Sequence, residues 1–184
     1  MRIGIIIGSI REGRAGEAVG EWVKQAGDAR ASEGVTYELL DLKEFNVPLL
    51  TSATVPGAAD KRYDDPNVAG WSRAVDACDG FIFITPEYNH GVPGPFKNAF
   101  DSLGGEWSRK PVAFVGYGAS NAIRAVEQWR QIVGNFAMHD VRNQVELNLF
   151  TDFDESGFNP VERRADELDT VFSDLEAVIV RLGG

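Results

Sequence analysis

The sequence predicts an α/β fold in which five parallel strands form one doubly wound sheet of order 2-1-3-4-5. Short apolar runs alternate with segments of helical periodicity along the chain, which is typical of a parallel sheet covered by helices on both faces. The first, third and fourth runs are apolar at successive positions, as in central strands, whereas the second run alternates and is typical of an edge. Right-handed crossovers then favour this strand order.

The elements of the first half follow from periodicity. The first strand is expected over residues 3–7, and apolar positions from 15 to 26 then recur at helical spacing. The second strand is expected over 35–42. A polar loop rich in Pro, Thr, Ala and Asp follows over 46–66, and a short helix over 68–77.

The second half continues the alternation. Pro86 is expected to stop the third strand, and Pro95 can occupy the first turn of the next helix. The other expected elements are the third strand over 80–85, the fourth over 112–115, a helix over 122–136, the fifth strand over 141–149 and a last helix with an apolar stripe from 168 to 182. Residues 1–184 are expected to form a single domain, because this length is typical of one.

Composition limits the classes of function. The formal net charge is -10, which argues against a nucleic-acid binder or a protein of anionic membranes, because both need a basic face. A small anionic ligand needs only a local cluster of donors. Cys78 is the only cysteine, so no disulfide within the chain is possible and a reducing, cytoplasmic setting is expected. No run is long and apolar enough to span a bilayer, and no metal site is predicted.

The first loop (residues 8–17) follows the first strand. In doubly wound sheets, ligands bind beyond the carboxyl ends of the strands, here between strands one and three. Gly8, Ser9 and Arg11 lie just before a helix whose first N–H groups lack partners, and this arrangement suits a phosphate monoester. The pattern matches neither the dinucleotide fingerprint nor the P-loop. The alternative is a glycine-rich turn with solvated arginines.

The second loop (residues 85–101) is stiff, with three prolines and two glycines within ten residues. Such a loop can present backbone amides to the edge of a flat heterocycle, and Tyr88 can pack against its ring. Each polar residue also has a structural alternative: His90 as a surface loop residue, Glu87 as a helix or loop cap, and Asn98 as a partner of local backbone.

The third loop (residues 116–121) contains small residues that allow a ligand to approach the backbone closely. Ser120 or Asn121 could instead cap the helix that follows.

Two motifs in these loops carry a resemblance to a known family. They are Gly8-Ser9-x-Arg11 and Pro86-Glu87-Tyr88-Asn89-x-x-x-Pro93-x-x-x-Lys97-Asn98-Ala99-x-Asp101. Together they resemble the NADPH-dependent FMN reductase family, which includes azo-, chromate- and quinone-reductase types. The second motif is long and specific, and the resemblance covers nearly the whole chain. It implies a flavodoxin-like fold that binds FMN without a covalent bond.

The resemblance also implies a set of cofactor-binding residues. They are Ser9, Arg11, Arg14, Gly16 and Glu17 around the phosphate, Pro86, Glu87, Tyr88 and Asn89 along the isoalloxazine, and Gly116, Tyr117, Gly118 and Ser120 at the other edge of the ring. His90 is the candidate for substrate contact, and no side chain is named as catalytic. Many relatives carry Ser and Asn where this chain has Arg14 and Gly16. Arg14 is therefore expected either to replace the lost hydroxyl or to meet the nicotinamide nucleotide.

The expected activity follows from this resemblance. NADPH or NADH would pass hydride to the bound FMN, and a small acceptor (a quinone, azo compound, metal oxyanion or free flavin) would collect the electrons. A homodimer or homotetramer is expected, with Trp107 and the helix around residues 96–103 at the interface. The alternatives are a flavodoxin-type electron carrier, a non-enzymatic module that binds FMN or another phosphorylated ligand, and a domain without a ligand.

Overall fold

The protein folds around a five-stranded parallel sheet of order β2-β1-β3-β4-β5, which confirms the predicted topology. The structure is a computed structural model, and it describes residues 1–183. The strands are β1 (Arg2–Ile7), β2 (Thr36–Asp41), β3 (Gly80–Pro86), β4 (Pro111–Gly118) and β5 (His139–Asn148). Strands β1, β3 and β4 are almost wholly buried, as their continuous apolar runs predict.

Within residues 1–183, six α-helices connect the strands and cover the sheet. They are α1 (Gly16–Arg30), α2 (Leu42–Phe45), α3 (Pro66–Asp76), α4 (Gly94–Asp101), α5 (Ile123–Val133) and α6 (Arg163–Gly183). The short helix α2 was not expected. It forms because the Asp41 carboxylate, at the end of β2, accepts a 3.0 Å hydrogen bond from the Lys43 N–H and caps it. A two-stranded antiparallel ribbon, β6 (Phe153–Asp154) and β7 (Gly157–Phe158), was also missed.

The core has two layers, one on each face of the sheet. Alternate residues of a strand point to opposite faces, so Ile5 contributes to the layer under α1 and α6, and Ile6 to the layer under α3, α4 and α5. The second layer is aromatic, and Phe83 lies at its centre. Trp107 belongs to this layer with 0% exposure, so the expectation that it forms an interface is wrong.

Strand β4 extends further than predicted. Pro86 is the last residue of β3 and pairs in register with Tyr117, so the strand ends at this proline as predicted. Strand β4 continues to Gly118, which pairs with Asn148 of β5. The residues that follow these strands therefore emerge together at one edge of the sheet. Within residues 1–183, none of the helices combines the length and apolar character needed to cross a lipid bilayer.

Candidate functional site

The first loop leaves a row of backbone donors unpaired. The Gly8 N–H makes the last bond of the ladder, 3.0 Å to the Ile84 carbonyl, and no N–H from Ser9 to Ala15 donates to an acceptor within residues 1–183. The Phe96 ring lies directly against Gly8, where an added Cβ would come within 2.0 Å of it. The chain can therefore turn here only with glycine. Unpaired N–H groups before a helix suit an anionic group.

The two arginines of the first loop have different environments. The Arg14 side chain is 6% exposed, donates a 2.7 Å bond from Nη1 to the Ser9 carbonyl, and forms an ion pair with Asp41. The Arg11 side chain is exposed and makes no ion pair among the described residues; its guanidinium carbon lies 5.8 Å from the centre of the Tyr88 ring. Arg11 therefore has free donors, whereas Arg14 is already engaged.

A tight turn forms the tip of the second loop. Tyr88 and Gly91 exchange two backbone hydrogen bonds of 3.0 and 3.1 Å. Asn89 and His90 between them adopt left-handed backbone angles, with φ of 48° and 73°, which is the pattern of a type I′ turn. The N–H groups of Asn89 and His90 have no acceptor in the described part of the chain. Both residues are exposed, so their side chains are accessible from solvent.

Gln128 of α5 supports this turn from behind. Its Oε1 accepts the Val92 N–H at 3.1 Å, and its Nε2 donates to the His90 carbonyl at 3.1 Å. Left-handed conformations of residues other than glycine are sparsely populated and are maintained by surrounding contacts. Sequence reasoning missed Gln128, because nothing in a helical pattern indicates which loop the helix will meet.

Glu87 connects the second loop to α5. Its buried carboxylate accepts the Arg124 N–H at 3.1 Å and the Arg124 Nε at 2.7 Å. Glu87 thus caps α5, which confirms the alternative role considered for it. The expectation that Ser120 or Asn121 caps this helix is wrong: the N-cap position is Ala122, without a side-chain bond, and the Asn121 Oδ1 instead accepts from Asn148 at 2.5 Å.

Direct contacts link the three loops. Ser9, 1% exposed, shares a 2.5 Å hydrogen bond between its Oγ and the Tyr88 Oη. The Tyr117 hydroxyl approaches Gly16 so closely that an added Cβ would lie 2.7 Å from it. Burial, together with the neighbouring Tyr88, raises the pKa of Tyr117, so its hydroxyl stays protonated at neutral pH.

The third loop contributes further donors. The N–H groups of Ala119 and Ser120 find no acceptor among residues 1–183. Gly118 lies beside Glu87, with 3.6 Å between an added Cβ and the Glu87 Cβ. Glu17 and Ser120 are exposed, while Gly116 is buried against Ala122. The structure thus brings most of the predicted residues to one edge of the sheet, with unpaired donors near both β1 and the β3–β4 pair.

The helical part of the second motif has a structural role. The Asn98 Oδ1 accepts the Leu50 N–H at 2.9 Å, and its Nδ2 donates to the Pro48 carbonyl at 2.9 Å. The expectation that Asn98 satisfies local backbone is therefore wrong: its partners lie about fifty positions earlier in the chain. Lys97 pairs with Asp101 one turn later, at 2.5 Å. Asn98 therefore holds the segment after α2 against α4, whereas the Lys97–Asp101 pair lies within α4 itself.

The three loops form an open rim, and the concave surfaces nearby do not coincide with it. A cavity of about 550 Å³ is lined by residues between 48 and 68 and by Ser102, and it includes none of the predicted site residues. A smaller cavity of about 290 Å³ borders the first loop between Ile10, Lys43 and Pro95. Backbone donors, rather than an enclosed pocket, define the candidate site.

Comparison with known proteins gives a family match. The sequence profile described as NADPH-dependent FMN reductase matches residues 1–152. A NAD(P)H-dependent FMN reductase from Nectria sp is 37% identical over 129 residues, which is 69% of this chain and 64% of that protein. The chain thus spans slightly less than two thirds of that relative. A NAD(P)H-dependent FMN reductase from Saccharomyces cerevisiae is 30% identical over 76% of each chain.

Two further similarities cover more of the chain. A protein from Oryza sativa subsp. japonica named probable NADPH:quinone oxidoreductase 2 is 28% identical across 100% of this chain and 91% of its own length. Among solved structures, the flavoenzyme NAD(P)H:(acceptor) oxidoreductase FerB from Paracoccus denitrificans superposes with a TM-score of 0.73 at 19% identity and covers 96% of both chains. At that identity the superposition shows the fold alone, and it agrees with the predicted flavodoxin-like architecture.

Proposed function

The chain belongs to the NADPH-dependent FMN reductase family, and on that premise we propose that it is an FMN-dependent NAD(P)H oxidoreductase with a small-molecule electron acceptor. One observation of this structure carries the proposal: loops with unpaired backbone donors follow β1, β3 and β4 and are linked to one another. FMN has a phosphate monoester at one end and a flat ring with a polar edge at the other. The donor set suits both ends.

The first loop is proposed to hold the phosphate. Ser9 would offer a hydroxyl, Arg11 its free guanidinium, and residues 10–15 their unpaired N–H groups. Gly16 and Glu17 lie in the first turn of α1, beside these groups. Hydrogen bonds to a charged group contribute about 1.5–3 kcal/mol each, so a few of them support tight binding. Arg11 also supplies positive charge locally in a chain whose formal net charge is -10.

The second and third loops are proposed to hold the isoalloxazine. Pro86, Glu87, Tyr88 and Asn89 would line one side and Gly116, Tyr117, Gly118 and Ser120 the other. The Glu87 carboxylate is occupied by Arg124, so Glu87 would contribute its backbone. When bound, FMN supplies the two-electron chemistry between a reduced nicotinamide and the acceptor. The protein orients the ring with fixed backbone dipoles, and no side-chain acid or base is assigned.

His90 is proposed to contact the incoming substrate. It is exposed at the tip of the turn, next to the unpaired N–H groups of that turn. The nicotinamide and the acceptor would use this face in turn, which predicts ping-pong kinetics. Quinones, azo compounds, metal oxyanions and free flavin are the acceptor classes to compare, and kcat/KM measured for one member of each would rank them.

The test is the visible absorption spectrum of the purified, FMN-loaded protein before and after anaerobic addition of NADPH, repeated with NADH. Bleaching by either nucleotide, followed by recovery of colour on addition of benzoquinone, is the expected result. A flavin that stays oxidised with both nucleotides would favour an electron carrier. If FMN fails to bind at all, a non-redox module remains.

A homodimer or homotetramer in the cytoplasm is the proposed assembly and setting. Leu49 and Val55 are large apolar side chains in the segment between α2 and α3, exposed by 70% or more, which is consistent with a surface that a second copy covers. Cys78, the only cysteine, is buried and free, as suits a reducing compartment. Light scattering coupled to size-exclusion chromatography, with and without FMN, measures the oligomeric state; a monomer at all concentrations would reject the assembly.

A further inference from the structure

We propose that Arg14 is a positioning residue that orients the phosphate-binding backbone without touching the phosphate, and that Asp41 holds it in place. This inference rests on the proposed FMN function and goes beyond it, because it separates the two arginines of the first loop by role. It also selects neither of the two roles expected for Arg14 from the sequence, a phosphate ligand or a contact to the nicotinamide nucleotide.

The contacts of Arg14 carry the proposal. Its side chain is 6% exposed, and that of Asp41 14%. A buried guanidinium is costly unless it is paired, and its close partner here is the carboxylate at the end of β2. The exposed Glu17 carboxylate is more distant, at 3.9 Å from the Arg14 Nε. Asp41 is itself fixed, because it pairs in register with Ile7 at the end of β1 and caps α2 through the Lys43 N–H. Arg14 is thus anchored to the edge of the sheet.

The geometry of the peptide unit explains how this anchor acts on the loop. Arg14 Nη1 donates to the Ser9 carbonyl at 2.7 Å. In a trans peptide, the carbonyl of one residue and the N–H of the next point in opposite directions, and the described chain has no cis bond. Fixing the Ser9 carbonyl towards Arg14 therefore fixes the Ile10 N–H away from it. That N–H has no protein acceptor in the described residues, so it remains available to the ligand.

The two arginines also differ in the charge that they offer to a ligand. Arg14 and Asp41 neutralise each other, so the pair adds little net charge to the site. Arg11 makes no ion pair among residues 1–183 and remains the cation that a phosphate can meet. If Arg14 bound the phosphate directly, the Asp41 carboxylate beside it would weaken that contact, so removing the carboxylate would strengthen binding. The sign of the effect of removing Asp41 therefore distinguishes the two roles.

The experiment compares FMN with riboflavin, which lacks the phosphate. Apoproteins of the full chain are titrated with each flavin, and quenching of flavin fluorescence gives the dissociation constants for the native sequence, Arg14→Ala, Arg14→Lys and Asp41→Asn. Asparagine still accepts the Lys43 N–H, so Asp41→Asn removes the ion pair and keeps the helix cap. Arg2→Gln and Glu38→Gln are the controls, because that exposed ion pair also joins β2 to β1 and lies outside the three site loops.

We expect Arg14→Ala to weaken FMN binding by roughly ten- to hundredfold, the loss that charge-assisted hydrogen bonds predict, with a smaller loss for Arg14→Lys. Riboflavin binding changes by about twofold or less, because the loop acts only on the phosphate. Asp41→Asn weakens FMN binding as well, and the double variant is no weaker than Arg14→Ala alone, since both act through one contact. Neither control changes either constant.

Two results overturn the proposal. If Asp41→Asn tightens FMN binding, Arg14 is a direct phosphate ligand that Asp41 restrains. If the variants weaken FMN and riboflavin equally, the ion pair supports only the fold. Thermal unfolding of each apoprotein identifies a variant that fails to fold. If Arg14→Ala fails to fold, the FMN and riboflavin dissociation constants of Arg14→Lys and Asp41→Asn are compared instead. If the native protein binds neither flavin, the proposed function itself is rejected. That result differs from the two that reject only the positioning role of Arg14.

Discussion

Individual side chains at the site fall into two groups, those already engaged with protein partners and those left free for a ligand. Glu87 and Arg14 are charged residues among the predicted cofactor-binding residues, yet their groups are bound to Arg124 and Asp41. The free groups are Arg11 and the backbone amides of the turns. A charged residue type in a motif therefore does not by itself indicate contact with the cofactor. Whether such a residue can contact the cofactor depends on its partner within the protein, and that partner lies elsewhere in the sequence.

His90 allows backbone conformation and side-chain function to be separated. Its φ of 73° is unfavourable for any residue with a Cβ and natural for glycine. We expect His90→Gly to leave the free energy of unfolding unchanged or to raise it by up to about 1 kcal/mol. The same change should raise the KM of the acceptor if the imidazole contacts it, as proposed.

The comparison variant is His139→Gln, which changes the other histidine of the chain, exposed at the start of β5. Chemical denaturation measures the free energy of unfolding, and steady-state kinetics measure the KM of the acceptor. A large loss of stability in His90→Gly would contradict the turn geometry, and an unchanged KM would remove His90 from the substrate site.

At the scale of elements, hydrophobic periodicity predicted all five strands, their order and the main helices, because each element buries an apolar face along its own length. It also predicted that the loops after β1, β3 and β4 lie together, since carboxyl ends of parallel strands share an edge. It could not predict α2, the β6–β7 ribbon or the polar contacts of Asn98 and Gln128. These depend on pairs far apart in sequence, for which a single chain gives no periodic signal.

The Asn98 contact gives an element-scale prediction. Asn98→Ala removes both hydrogen bonds that hold residues 48 and 50 against α4. We expect faster hydrogen exchange at the Leu50 amide and its neighbours, and a loss of about 1 kcal/mol in the free energy of unfolding. Exchange in β1 and β3 should not change. Lys97→Gln, which breaks the neighbouring pair with Asp101 on the same helix, is the matched control. Unchanged exchange at Leu50 in Asn98→Ala would mean that other contacts hold the segment.

A second element-scale prediction concerns the junction between β5 and α6. Asp152 and Arg164 form a buried ion pair, 0% and 4% exposed. Burial alone would raise the pKa of Asp152, but hydrogen bonds from Arg164 and from the Asn148 and Val161 backbone lower it below its usual value. Removing one partner of such a pair leaves an uncompensated charge, so Asp152→Asn should cost about 3 kcal/mol of stability near neutral pH.

The pH dependence of this loss has a definite sign. Because the pKa of Asp152 is lower in the folded state, its stabilisation is fully present above the unfolded-state pKa, about 3.9, and is lost as the pH falls through the folded-state pKa. The stability difference between the native protein and Asp152→Asn should therefore be constant at neutral pH and shrink below about pH 4. Asp60→Asn, in a pair exposed by more than 80%, should show almost no difference at either pH. A gap that widens on acidification would contradict the direction of the shift.

At the scale of the whole molecule, the sheet joins the two core layers and the site. Every central strand contributes alternate side chains to both layers, so neither layer can lose its packing without disturbing the other. The site loops leave this sheet from the ends of β1, β3 and β4. Ligand binding and global stability are therefore expected to be coupled, and the proposal of a single domain over residues 1–184 can be tested through that coupling.

We predict one cooperative unfolding transition that FMN shifts as a whole. Trp71, Trp107 and Trp129 are buried in a single layer, so tryptophan fluorescence reports mainly that layer, whereas far-ultraviolet circular dichroism reports helices on both faces. The two denaturation curves should coincide, with the same midpoint, if the layers unfold together. FMN at a hundred times its dissociation constant should raise the free energy of unfolding by about 2.7 kcal/mol in both signals. Separate midpoints, or an FMN shift in only one signal, would mean that the layers are independent units and that the site belongs to one of them.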